Sequence, residues 1–153
     1  MTFDRHSRTC HPWTERKVQA DSSQLHVLVV DDNVNAAQAL AAYLSFEGME
    51  CRLAYGGAEA IQMGTDWNPD VIIMDISMPE CNGFQAALAL RHDERTSPVA
   101  IIAFTALDES EVRRHLKNHE FDGYCQKGQE PAHLTALITR LAQTNGGVSA
   151  LRS

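Results

Sequence analysis

Four short apolar runs in this chain each lead into a residue that can do chemistry. Val71-Ile72-Ile73-Met74 runs into Asp75, and Leu25 to Val30 runs into Asp31-Asp32. Val99 to Phe104 ends at Thr105, and Gly123-Tyr124-Cys125 leads through Gln126 to Lys127. A continuous apolar run bounded by turn residues fits a strand buried on both faces. Asn68-Pro69-Asp70 on one side, and Met78-Pro79 with Gly83 on the other, bound the central run in this way. In open α/β sheets, ligands are handled just beyond the carboxyl ends of the strands. Asp75 alone reads either as an acid of such a site or as a cap for the next helix. The other strand ends favour the site.

If these ends lie together, three carboxylates share one crevice with one ammonium and one hydroxyl. Two carboxylates about 5 Å apart repel by roughly 3 kcal/mol at an effective dielectric near 20. Lys127 offsets one charge, and a hard divalent ion would offset the rest. Mg2+ takes few protein carboxylates and keeps several waters, which suits an open crevice. Such an ion also bridges phosphate oxygens during phosphoryl transfer. An aspartate flanked by metal, ammonium and hydroxyl can act as a nucleophile toward phosphorus. No histidine follows a strand end, so general acid–base catalysis fits less well.

The intervening segments supply the elements that would hold these groups. Val34, Ala37, Leu40, Ala41 and Leu44 recur at helical spacing, with Asn33 as a cap and Gly48 as a stop. Glu50 to Ala54 is a second strand, and Ala58 to Thr65 a second helix. Phe84 to Arg91 and Glu109 to Asn118 are two further helices. Pro131 opens a fifth, with Leu134, Leu137, Ile138 and Leu141 as its buried stripe. Five strands alternating with five helices predict a parallel sheet covered on both faces. Residues 1–24 read as a polar, poorly ordered tail that docks through Trp13, contacts a partner, or does neither. Residues 25–142 form the domain, and 143–153 a fraying end.

Composition excludes several classes. The net charge of −7 argues against a general nucleic-acid surface. No apolar run is long enough for a membrane span, and the N-terminus lacks a signal-peptide core. Cys10, Cys51, Cys81 and Cys125 form no Cys-x-x-Cys pair, and Cys10-His11 has no partner pair at zinc spacing. The last three read as small apolar residues, which suits a reducing, cytoplasmic setting.

Residues 25–142 resemble the receiver domain of response regulators in two-component signalling. The resemblance rests on Val27-Leu28-Val29-Val30-Asp31-Asp32-Asn33, on Asp75 with Met78-Pro79 and Gly83, on Phe104-Thr105-Ala106, and on Tyr124 three before Lys127. It implies a flavodoxin-like doubly wound sheet of order 2-1-3-4-5. It also implies that Asp75 accepts a phosphoryl group from a sensor histidine kinase or a histidine phosphotransfer protein. Asp32 would bind Mg2+ directly and Asp31 through water, with Asp75 and the Ser77 carbonyl completing the protein's share. Thr105 and Lys127 would hold the phosphoryl oxygens, and Tyr124 would be the switch aromatic.

One position departs from the family. Gly128 stands where a proline, often after a cis peptide, usually follows the lysine. A cis bond before a non-proline residue costs roughly 2.5–4 kcal/mol, so a trans and freer loop is expected. Leu107 and Ser77 would set water access, and hence a slow intrinsic dephosphorylation. Arg113, Arg114 and Lys117 read as partner contacts or as a solvated helix face. With no DNA-binding segment after Leu141, the expected output is another protein, or onward relay of the phosphoryl group. The rival reading is a pseudo-receiver module that is never phosphorylated. A dehalogenase-type phosphatase would need an acid at Ser77, and a flavodoxin would need a phosphate loop in place of Asp31-Asp32-Asn33.

Overall fold

The apolar runs are strands covered on both sides. In a computed structural model of the chain, which describes residues 10–78 and 81–144, they alternate with helices as expected. The elements are β1 (Cys10–Pro12), β2 (Val18–Gln19), β3 (His26–Val30), α1 (Val34–Phe46), β4 (Glu50–Ala54), α2 (Gly57–Trp67) and β5 (Val71–Met74). They continue with α3 (Gly83–His92), β6 (Ala100–Thr105), α4 (Glu109–Arg114), β7 (Gly123–Gln126), α5 (Pro131–Leu141) and β8 (Ala142–Gln143). The main sheet has the order β1-β7-β6-β5-β3-β4. Its parallel part, β4-β3-β5-β6-β7, is the expected 2-1-3-4-5 arrangement. The turn residue Pro79 and most of the C-terminal end, from residue 145, lie outside the described residues.

Alternation along each strand sorts the core into two layers. Val27, Val29, Ile73 and Ile102 face α1 and α5, meeting Ala37, Leu44, Leu134 and Ile138. Leu28, Val30, Ile72, Met74 and Ile101 face α2, α3 and α4, meeting Ala60, Ala86, Leu90 and Val112. Each fully buried Leu, Ile or Val contributes about 1.5–3 kcal/mol by leaving water. Helix starts are fixed by side chains that follow strand ends. Asn33 accepts from the Ala36 amide, Asn82 and Gln85 form a capping box, and Asp108 accepts from the Glu111 amide.

Two segments differ from the sequence reading. Residues 10–24 do not read as a poorly ordered tail in the structure. β1 adds antiparallel to β7, and β2 pairs in parallel with β8. Cys10 faces Cys125 across the first pairing and is joined to it by a disulfide, against the expectation of reduced cysteines. Behind this strand, the wholly buried Asp122 receives the guanidinium groups of Arg16 and Arg91 and the Thr14 hydroxyl. The other difference is α4, which ends at Arg114 rather than Asn118. The buried Glu120 carboxylate accepts the Lys117 and Asn118 amides, and that closes a loop where another helical turn would run.

Candidate functional site

Strands β3 and β5 are neighbours, so Asp31-Asp32 and Asp75 leave the sheet side by side. One carboxylate oxygen from each of Asp31, Asp32 and Asp75 lies within 4.8 Å of the others. Asp31 and Asp75 are buried and Asp32 is exposed, so the cluster opens to solvent on one side. The Asp75 amide donates to the Val30 carbonyl at 2.9 Å, which ties the two strand ends together. Asp31 Oδ1 accepts the Asn33 amide and Asp75 Oδ1 the Ser77 amide, so neither carboxylate swings freely.

Gly83 sets the floor of this site. A Cβ there would stand 2.5 Å from the Asp75 carbonyl oxygen and 2.7 Å from the Ile76 Cα. Only glycine lets α3 start this close behind the central aspartate.

On the other side, β6 and β7 bring Thr105 and Lys127 to the same end. Thr105 pairs with Gln126, and the Lys127 amide donates to the Thr105 carbonyl at 2.8 Å. Lys127 Nζ lies 2.8 Å from Asp31 Oδ2 and 3.6 Å from Asp75 Oδ1. The buried Thr105 hydroxyl accepts the Leu107 amide, which leaves its own proton available to donate. The expected trans loop is present, since no described peptide bond is cis. Gly128 takes φ +94°, a backbone that proline with its fixed φ near −65° cannot adopt. The loop thus follows a different path from one built on proline, and the ammonium still reaches both acids.

Electrostatics single out Asp75. Its carboxyl is pushed up to about 6, chiefly by burial. Lys127 pulls it down, and the Asp31 charge adds to the rise. A hard cation beside three carboxylate oxygens would favour the ionised acid, so this donor set fits Mg2+. The strand ends thus bring three carboxylates and an ammonium together, with the Thr105 hydroxyl at the same end of the sheet.

Tyr124 lies on β7 near this end, with its ring buried and its hydroxyl donating to the Leu107 carbonyl at 2.7 Å. Burial, with Glu109, Asp108 and Glu111 nearby, pushes its phenol up to about 12, so it remains a donor at neutral pH. Sequence reasoning missed what covers it. Trp13 stacks on Tyr124 at 5.4 Å between ring centroids with planes 6° apart. The Trp13 indole N–H donates to Glu109 at 2.7 Å, His11 Nε2 lies 2.8 Å from the same oxygen, and Arg113 sits 4.3 Å above the Trp13 ring. The only signal for this was Trp13 itself, a large apolar residue in a polar stretch. Arg113 is thus engaged by the chain's own N-terminal segment.

The profile of the response regulator receiver domain family matches residues 27–139. The regulatory protein AtoC of Escherichia coli is 32% identical over 117 residues, which are 76% of this chain and 25% of AtoC. The chain thus spans about a quarter of that relative's length. Among solved structures, chemotaxis protein CheY4 of Vibrio cholerae superposes with a TM-score of 0.72 at 28% identity, covering 77% of this chain and 98% of CheY4. Response regulator TrrA of Thermotoga maritima, solved in complex with Mg2+ and BeF, gives 0.70 at 31% identity, covering 77% of this chain and 99% of TrrA. Receivers accept phosphoryl groups rather than acting as ordinary enzymes, bind Mg2+ at an acidic pocket and work with histidine kinases. Among the described residues, no helix is long and apolar enough to cross a membrane. Fold, strand-end chemistry and the family match agree: this chain belongs to the response regulator receiver domains of two-component signalling.

Proposed function

We propose that this chain takes a phosphoryl group on Asp75 from a kinase histidine or a phosphotransfer histidine. The observation that carries this is the Lys127 ammonium within reach of both Asp31 and Asp75, beside the exposed Asp32. An Asp75 carboxylate oxygen forms the new bond to phosphorus as the bond to the donor's nitrogen breaks. Lys127 holds a phosphoryl oxygen as charge builds there, and the Thr105 hydroxyl donates to another. Asp32, Asp31, Asp75 and the Ser77 carbonyl would hold Mg2+. The ion would supply positive charge against the phosphoryl oxygens and favour ionised Asp75. Water reaching the acyl phosphate past Ser77 and Leu107 would return Asp75 slowly to its free form.

The phosphoryl group adds about −1.5 to −2 charges at this point. Thr105 drawn toward it shifts the 105–107 segment, whose Leu107 carbonyl holds the Tyr124 hydroxyl. That couples the site to the face formed by α4, β7 and α5, where a downstream protein would read the change. The test is labelling by acetyl phosphate with Mg2+, scored by intact mass. The wild-type chain gains one phosphoryl group and Asp75→Asn gains none. Equal labelling of both, or no labelling of the wild type by acetyl phosphate or any sensor kinase, refutes the reading. The second outcome would indicate a pseudo-receiver.

A further inference from the structure

The face through which this receiver would signal is already occupied. β1 lies on the edge of β7, and the Trp13 backbone amide donates to the Asp122 carbonyl at 2.7 Å, continuing that attachment. Trp13 then covers the ring of Tyr124. Over this face, Trp13 and His11 tie the segment to two different elements. Glu109 at the start of α4 receives Trp13 and His11, while Tyr124 on β7 receives the Trp13 ring. Both anchors lie next to the 105–107 segment that the phosphoryl group would displace.

We propose that residues 10–19 are an autoinhibitory strap, held shut by the Cys10–Cys125 disulfide and, once that bond is reduced, loosened by phosphorylation. This rests on the reading of Asp75 as a phospho-acceptor. The strap fits the unphosphorylated arrangement, in which Glu109 and Tyr124 are both in place for Trp13. Movement of Thr105 and Leu107 shifts one anchor relative to the other and weakens the fit. By linkage, the docked strap opposes phosphorylation by the same factor. What its departure exposes is the strand edge of β7 and the face of an aromatic ring. The competing partner is therefore an extended protein segment that adds as a strand and brings an aromatic side chain to the Trp13 position.

The disulfide decides whether this equilibrium can operate. Cys125 is buried and Cys10 only partly so, which makes the Cys10 sulfur the accessible end. A thiolate of an external dithiol attacks Cys10, and the Cys125 sulfur leaves and takes up a proton. The second thiol of the reductant then resolves the mixed disulfide, freeing Cys10 as a thiol. Two electrons pass to the protein, two cysteine thiols form, and the reductant ends as its own disulfide. The strap is then held by non-covalent contacts, among them the strand pairing and those of Trp13, His11, Thr14 and Arg16.

Hydrogen exchange on the full chain, followed by mass spectrometry, tests this. The segments read are 10–19 and 123–126, with β5 as a control for global folding. Oxidised chain should protect both segments, with or without acetyl phosphate and Mg2+. Reduction with dithiothreitol should speed their exchange about tenfold or more, as the tether is lost. Acetyl phosphate with Mg2+ should speed it further in the reduced chain, but not in reduced Asp75→Asn. Trp13→Ala, also reduced, should exchange at least as fast without any phosphodonor. Equal protection of both segments in the oxidised, reduced and Trp13→Ala chains would make β1 a permanent sixth strand and overturn the proposal. Intact mass on the same samples separates the failures. Labelled Asp75 with unchanged exchange sinks the strap's coupling alone, whereas absence of label sinks the receiver reading.

Discussion

Replacing Asp75 with asparagine should make the protein more stable at neutral pH and leave it unchanged in acid. The unfolded carboxyl titrates near 3.8, whereas the folded one is pushed up to about 6, mainly because it is 6% exposed. Between those values the native chain holds more protons than the unfolded chain, so stability falls as pH rises. The full cost is present above the folded value and absent below the unfolded one. A shift of that size corresponds to about 3 kcal/mol. That value already includes the attraction of Lys127, which lowers it, so the gain from asparagine at high pH should be up to about 3 kcal/mol. Urea unfolding of both chains at pH 4, 6 and 8, with chelator present, measures it. The Asp75→Asn advantage should be near zero at pH 4, intermediate at pH 6 and full at pH 8. Added Mg2+ should then stabilise the wild type more than the variant and shrink the gap. A variant that is less stable at pH 8, or whose advantage does not change with pH, would refute the idea that burial strains this carboxylate.

Gly128→Pro should destabilise the chain by about 1–3 kcal/mol and weaken the hold of Lys127 on the acids, because proline cannot reach φ +94°. Thermal melts and the Mg2+ affinity of the variant check this. Gly83→Ala should cost about 1–3 kcal/mol, since its Cβ meets backbone atoms of Asp75 and Ile76 that cannot move aside cheaply. Denaturant titration reads that loss, and an alanine variant as stable as the wild type would contradict it. Asp122→Asn should cost about 3–5 kcal/mol, because two guanidinium groups lose their buried counter-charge. The unfolding midpoint of that variant is the measurement.

Why some of this was legible and some not follows from how each part is held. Asp75, Asp31 and Thr105 could be placed because each ends an apolar run, and strand burial writes such runs directly into the sequence. Lys127 followed from the same logic at β7, and the Gly128 departure correctly signalled a loop without a cis bond. The strap left no such trace. β1 is three residues long, ends in proline and buries no periodic face. The side-chain attachments of the strap reach residues about a hundred positions away, such as Trp13 to Glu109 and Arg16 to Asp122. The pairing of Cys10 with Cys125 is equally invisible, since four cysteines carry no label of partner. The early end of α4 depended on the Glu120 side chain reaching back to two amides, which residue propensities do not record.

The short strand with Pro12 at the border of the main sheet has a bearing on how copies of this protein behave in a crowded solution. Open strand borders template pairing between molecules, and a proline there withholds the N–H that such pairing would need. With β1 in place, the sheet presents a blunt rim on that side. Strip it away and a second molecule meets four consecutive backbone residues of β7, ready to be joined. Loss of colloidal stability, seen as light scattering that grows with concentration, is the expected fate of a chain whose rim has been removed.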